Sequence, residues 1–160
     1  MSQRIVIGVM GAGEGATADD IAVAERLGEL IAREGWVVLT GGRDAGVMAA
    51  AVRGAKRIAG SITVGVLPTE SGEVAPGVDI PIYTGLGNAR DAINVLSSRV
   101  VITCGNLSPG TTIEAAFAVK TGRPLILLNP NAEAEAFFKS ARVARSPEEA
   151  IRLAQKFVGA

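Results

Sequence analysis

The strongest constraint on this chain's fold is its alternation of short apolar runs with longer stretches whose apolar residues recur every three or four positions. Ile5–Val9, Trp36–Thr40, Ile62–Val66, Val100–Thr103 and Leu125–Leu128 are apolar runs of strand length. They lack the two-residue polarity of a sheet with one wet face, so they predict strands covered on both sides. Between them lie Thr17–Arg33, with Ile21, Ala24, Leu27, Leu30 and Ile31 at helical spacing, then Val47–Arg57, Asn88–Ser98, Thr111–Thr121 and Glu133–Lys139. Ile80–Tyr83 and Ala141–Ala144 read as short strands. A last helix opens at Ser146, with Ser146 as cap, Pro147 at the first helical position and Glu149 closing a capping box. Strict β/α alternation predicts an α/β fold: one domain over 1–160, an open, mostly parallel sheet with helices on both faces. Right-handed crossovers bring every strand-to-helix loop to one edge of that sheet, where ligands of open α/β sheets bind.

The glycine-rich stretches fall on those loops. Gly11-Ala12-Gly13 follows the first strand, but Ala16 stands where a Gly-x-Gly-x-x-Gly dinucleotide fingerprint needs its third glycine. No acidic residue closes the second strand to take a ribose hydroxyl, so the pair reads as a tight turn or a ligand contact and NAD is not implied. A Walker A loop is absent. Gly41-Gly42-Arg43 lets backbone approach a ligand closely and adds a guanidinium fork for an oxyanion. In Thr84-Gly-Leu-Gly-Asn-Ala-Arg90, Gly87 precedes an arginine in the first helical turn, where a cation opposes the helix dipole. An anion in front of Arg90 would explain that placement; a surface ion pair is the plainer alternative. Pro109-Gly110-Thr111-Thr112 offers N–H and hydroxyl donors at a helix start. Thr111-x-x-Glu114 also fits a capping box, in which Glu114 bonds back to the Thr111 backbone. Together these loops suit a small phosphate-bearing ligand.

Composition removes other classes. Histidine is absent and cysteine occurs once, at Cys104, which removes most zinc sites, histidine-based nucleophile triads and any intramolecular disulfide. Cys104 closes a buried strand and reads as a small core residue, with a thiolate ligand as the sharper alternative. Sixteen basic residues balance sixteen acidic ones and aromatics make up 4%, so no nucleic-acid partner is expected. No run reaches the roughly 18–20 apolar residues of a membrane span and no signal peptide is visible, which leads to the expectation of a cytoplasmic protein.

Gly41-Gly-Arg43 with Gly46-Val-Met48, Gly65-Val-Leu-Pro68, Thr84 to Asp91, and Pro109-Gly-Thr111 with Glu114 occur in the order that marks molybdenum cofactor carrier proteins. The chain resembles that family from Ile5 to about Phe138. These proteins are part of the Rossmann-like group that includes the LOG phosphoribohydrolases, some of whose members carry a lysine decarboxylase label. The resemblance implies a Rossmann-like fold and binding of molybdenum cofactor, a phosphate-bearing pterin dithiolene, by a carrier or storage protein. It also implies a homotetramer, with a dimer as the alternative, and a molybdoenzyme as acceptor. The loop Cys104–Gly110 is one residue longer than the carrier pattern. The rival resemblance is to LOG hydrolases, which release ribose 5′-phosphate from a nucleoside monophosphate; Arg90 and Glu114 would be the catalytic pair there. The leading Pro-Gly-Gly of that group is missing, which ranks a binding protein above an enzyme. A nucleotide-binding protein without catalysis is the third reading.

Overall fold

The five apolar runs and the two short strands pair side by side in the computed structural model, which describes residues 3–159; Met1, Ser2 and Ala160, the ends of the expected domain, lie outside the described residues. The strands are β1 (Val6–Gly11), β2 (Val37–Thr40), β3 (Thr63–Leu67), β4 (Ile80–Tyr83), β5 (Val100–Cys104), β6 (Leu125–Leu128) and β7 (Arg142–Ala144). They form an open sheet in the order β4-β3-β2-β1-β5-β6-β7, parallel at every pairing. Six helices connect or follow them: α1 (Ala18–Arg33), α2 (Gly46–Ala55), α3 (Asp91–Leu96), α4 (Pro109–Lys120), α5 (Ala132–Phe137) and α6 (Pro147–Val158). This is the expected Rossmann-like α/β architecture, with a fully parallel sheet. Among the described residues, no helix is long and apolar enough to cross a membrane.

Alternate strand residues feed two cores. Ile7, Val9, Val38, Ile102 and Ile126 pack with α1, α2 and α6, while Met10, Leu39, Val66, Val101 and Leu127 pack with α3 and α4. α1 and α2 touch through glycines. A Cβ on Gly28 would meet the Ala51 carbonyl and one on Gly54 the Glu25 carbonyl, so the two backbones come closer than any side chain allows. Cys104 is 1% exposed on the α1 side of the sheet, where burial, with the Asp20 carboxylate nearby, pushes its thiol up to about 12. It packs as a core residue.

Three local readings change. The helix expected over 88–98 is a 3-10 turn, Gly87–Arg90, followed by the shorter α3, Asp91–Leu96. The helix expected from Thr111 begins at Pro109: Ser108 is the cap, its Oγ accepts from the Thr111 N–H at 3.3 Å, and proline takes the first position. The Thr111-Glu114 capping box therefore does not form. At α6, Ser146 caps the Glu149 N–H as expected, but the Glu149 carboxylate accepts from Arg145 N–H at 2.8 Å, one residue before the cap.

Candidate functional site

Strand order reverses between β1 and β5: the chain builds outward from β1 to β4, then returns to lay β5 on the other flank of β1. Loops leaving β1 and β5 diverge there, which opens a crevice at the carboxyl ends of the strands. A cavity of about 170 Å³ lies in it, lined by Gly11 and Gly13 after β1, Gly41, Arg43 and Met48 after β2, Asn88, Arg90 and Asp91 before and in α3, and Ser108, Gly110, Thr111 and Glu114 around the start of α4. Val9 and Met10 complete its floor.

Arg90 is the buried cation of this cavity. Its side chain is 11% exposed, and Nη1 lies 3.3 Å from Asp91 Oδ1 and 4.0 Å from Glu114 Oε1. Its Nε–H is buried without an acceptor, an arrangement that favours an added anionic acceptor. Gly41 makes room for this guanidinium: a Cβ on Gly41 would stand 2.6 Å from Arg90 Nη1 and 2.9 Å from Met48 Sδ. The glycine thus seats an arginine from another part of the chain. Gly11 admits Val47 of α2 in the same way, and the Val47 N–H donates to the Ala12 carbonyl at 3.0 Å.

Two helix N-termini border the cavity. α2 has no side-chain cap at Ala45. In α4 proline lacks an N–H and Ser108 takes that of Thr111, which leaves the Gly110 N–H as the first-turn donor at the cavity. Ser108 Oγ and Thr111 Oγ1 share a hydrogen bond of 2.9 Å.

Glu114, 7% exposed, accepts a 3.0 Å hydrogen bond from Asn94 Nδ2. Burial chiefly, with Asp91 nearby, pushes its carboxyl up to about 7 against the opposing effects of Asn94 and Arg90. Burial also raises Asp91, with Arg90 opposing. Arg43 is half-exposed on the rim, paired with Glu14 at 2.6 Å.

Of the residues singled out in the sequence, Gly11, Gly13, Gly41, Arg43, Arg90, Gly110, Thr111 and Glu114 meet at the cavity; Gly42, Gly87, Pro109 and Thr112 do not line it. Gly42, at φ 78, turns the chain and accepts from the Ala75 N–H at 2.8 Å. Thr112 Oγ1 donates to the Ser108 carbonyl at 2.9 Å. Sequence reasoning missed Val9, Met10, Met48, Asn88, Asp91 and Ser108 as lining residues. Ser108 carried a readable signal, a serine directly before a proline.

This architecture recurs at full length in solved structures. The molybdenum cofactor binding protein from the phototrophic bacterium Rippkaea orientalis is 48% identical, with 99% of each chain covered and a TM-score of 0.95. The molybdenum cofactor carrier protein from Chlamydomonas reinhardtii is 43% identical, with 99% of this chain and all of that one covered at a TM-score of 0.93. An uncharacterized protein from Archaeoglobus fulgidus is 40% identical over 145 residues, 91% of each chain. Residues 4–154 match the SLOG cluster4 family, and the chain belongs to it.

Proposed function

We propose that residues 1–160 act as one binding domain for molybdenum cofactor, carrying or storing it in the cytoplasm for a molybdoenzyme acceptor. The observation that carries this reading is the full-length likeness, at 43% and 48% identity, to proteins that carry or bind this cofactor. The cavity residues fit such a group. Arg90 offers a buried Nε–H with no acceptor and Gly110 a helix-terminal N–H, both suited to a phosphate. Met48 contributes an apolar side chain to the lining of the same cavity, suited to a ring system. Bound cofactor supplies redox chemistry to the enzyme that receives it; the residues here hold and shield it.

The test is anaerobic titration of the purified protein with released molybdenum cofactor, with cofactor decay followed in parallel. The expected result is saturable binding and slower decay, with Arg90→Ala weakening affinity about 10–100-fold, the scale of a charged hydrogen bond. Absence of binding by the wild-type protein would refute the reading. One observation favours hydrolysis as a second reading: Arg90 and Glu114, 4.0 Å apart, stand together as a phosphoribohydrolase would require. Ribose 5′-phosphate release from AMP above a Glu114→Ala control would establish it; no turnover would dismiss it.

The assembly we propose is a homo-oligomer, a tetramer or a dimer. Strand register puts Ile80 and Ile82 on the face that Leu39 and Val66 share with α3 and α4. Ile80 and Ile82 are nonetheless 48% and 42% exposed there, and Leu86, just before the 3-10 turn, is 54% exposed. A sheet face of this kind is normally covered by another layer, and a further copy of the chain would supply it beside the cavity.

A further inference from the structure

Asn94 is fully buried in α3 and does not line the cavity, yet its amide hydrogen-bonds the Glu114 carboxyl. Nδ2 donates to Oε1 at 3.0 Å, and Asn94 Oδ1 stays buried with no donor. An asparagine amide in a core costs free energy unless it is bonded, and half of this one is not. Glu114 itself lines the cavity. Its Oε1 is held inside the protein, so Oε2 is the oxygen left for a ligand. The groups that face this carboxyl are Asn94 and Asp91 from α3 and Arg90 from the 3-10 turn, with the Arg43–Glu14 pair on the rim.

We propose that Asn94 is a positioning residue for ligand recognition: it fixes the Glu114 carboxyl so that one oxygen faces the cavity as an acceptor for an N–H donor edge of the ligand, beside the arginine that takes its phosphate. This deepens the cofactor-binding reading and rests on it. It assigns the ligand class more narrowly than a phosphate site does. A ring that presents adjacent N–H donors, as an amino-oxo-pyrimidine edge does, satisfies the carboxyl; a bare phosphate dianion, which has no donor, leaves that oxygen unpaired, and an unpaired buried acceptor costs affinity.

Two measurements on the full chain test the proposal. The first is carbon-detected NMR titration of Glu114 in ligand-free protein. Asn94 supports the ionised carboxylate, so Asn94→Ala raises the Glu114 midpoint relative to wild type. Asn94→Ser, which keeps a hydroxyl but is too short to make the bond, carries the same expectation should the alanine variant not fold. The second is anaerobic binding of released molybdenum cofactor in a double-mutant cycle. Asn94→Ala weakens binding about tenfold in the wild-type background, and by less than twofold when Glu114→Gln is already present. A midpoint that does not move, or an equal loss in both backgrounds, overturns the positioning role, because a merely structural asparagine acts whatever residue 114 is. Wild-type protein that fails to bind the cofactor refutes the cofactor reading instead, and the Glu114 titration still reports whether Asn94 controls that carboxyl.

Discussion

Gly41→Ala separates binding from stability, because the space its methyl group would enter belongs to Arg90. Gly41 is not among the glycines with left-handed backbone, so alanine meets no φ penalty there. The added Cβ would lie 2.6 Å from Arg90 Nη1, 3.0 Å from Cζ and 2.9 Å from Met48 Sδ. Comfortable contact begins at about 3.5 Å, so the guanidinium must retreat by roughly 1 Å. The obstructing atoms are ends of flexible side chains, and Gly→Ala also lowers unfolded-chain entropy, so stability changes by no more than about 1 kcal/mol. A hydrogen bond from Arg90 to a phosphate does not survive that shift, and losing it costs about 1.5–3 kcal/mol, or about 10–100-fold in affinity. Neighbouring Gly42→Ala is the contrast. At φ 78, with its Cβ 3.1 Å from Gly65 backbone atoms, it loses about 1–3 kcal/mol of stability. Urea unfolding and anaerobic cofactor titration of both variants decide the matter. Wild-type affinity in Gly41→Ala, or a stability loss matching that of Gly42→Ala, would refute the seating argument.

Gly28→Ala and Gly54→Ala each place a methyl group against a carbonyl of the facing helix; separating α1 from α2 should cost about 3 kcal/mol or more, read as a lowered urea midpoint. Glu114 is raised from 4.5 to about 7 by burial, so its contribution to folding is fully present below pH 4.5 and is lost as pH rises through about 7. Glu114→Gln, which can still accept from Asn94, should therefore be near neutral at pH 4.5 and stabilising by up to about 3 kcal/mol at pH 8; equal effects at both pH values would contradict the burial argument. Charging the uncovered sheet face with Ile82→Asp and Leu86→Asp should lower the mass found by light scattering, and an unchanged mass would place the subunit contact elsewhere.

The fold was legible because parallel strands buried on both faces leave nearly continuous apolar runs, and each such run here became a strand. Helix starts were legible only where one signal stood alone. Ser146-Pro147 marks its helix start unambiguously, while at Ser108-Pro109 the same pair competes with Thr111-x-x-Glu114, a second start signal three residues on. Proline at the first position, with serine able to reach the Thr111 N–H, is the better cap, and Glu114 was thereby released to meet Asn94. The partners of the site residues were not legible, since they are set by packing between segments distant in sequence. Nothing local to Gly41 says that its missing side chain is the seat of Arg90. Asn94 and Asp91 read as ordinary helical residues, because their burial depends on how α3 meets α4.

Charge arrangement at the cavity explains how the site can combine a buried arginine with two carboxylates. With Asp91 and Glu114 both ionised, Arg90 is overbalanced and an incoming phosphate meets net negative charge. Burial raises both carboxyls, Glu114 to about 7, so near neutrality much of that excess is removed by a proton. Arg90 is then held by Asp91 at 3.3 Å while Glu114 stands neutral at 4.0 Å. Asp91 thus restrains the arginine, and the raised Glu114 carboxyl opposes an anion less than an ordinary carboxylate would. Such a balance suits a phosphate beside Arg90 better than two fully ionised carboxylates would.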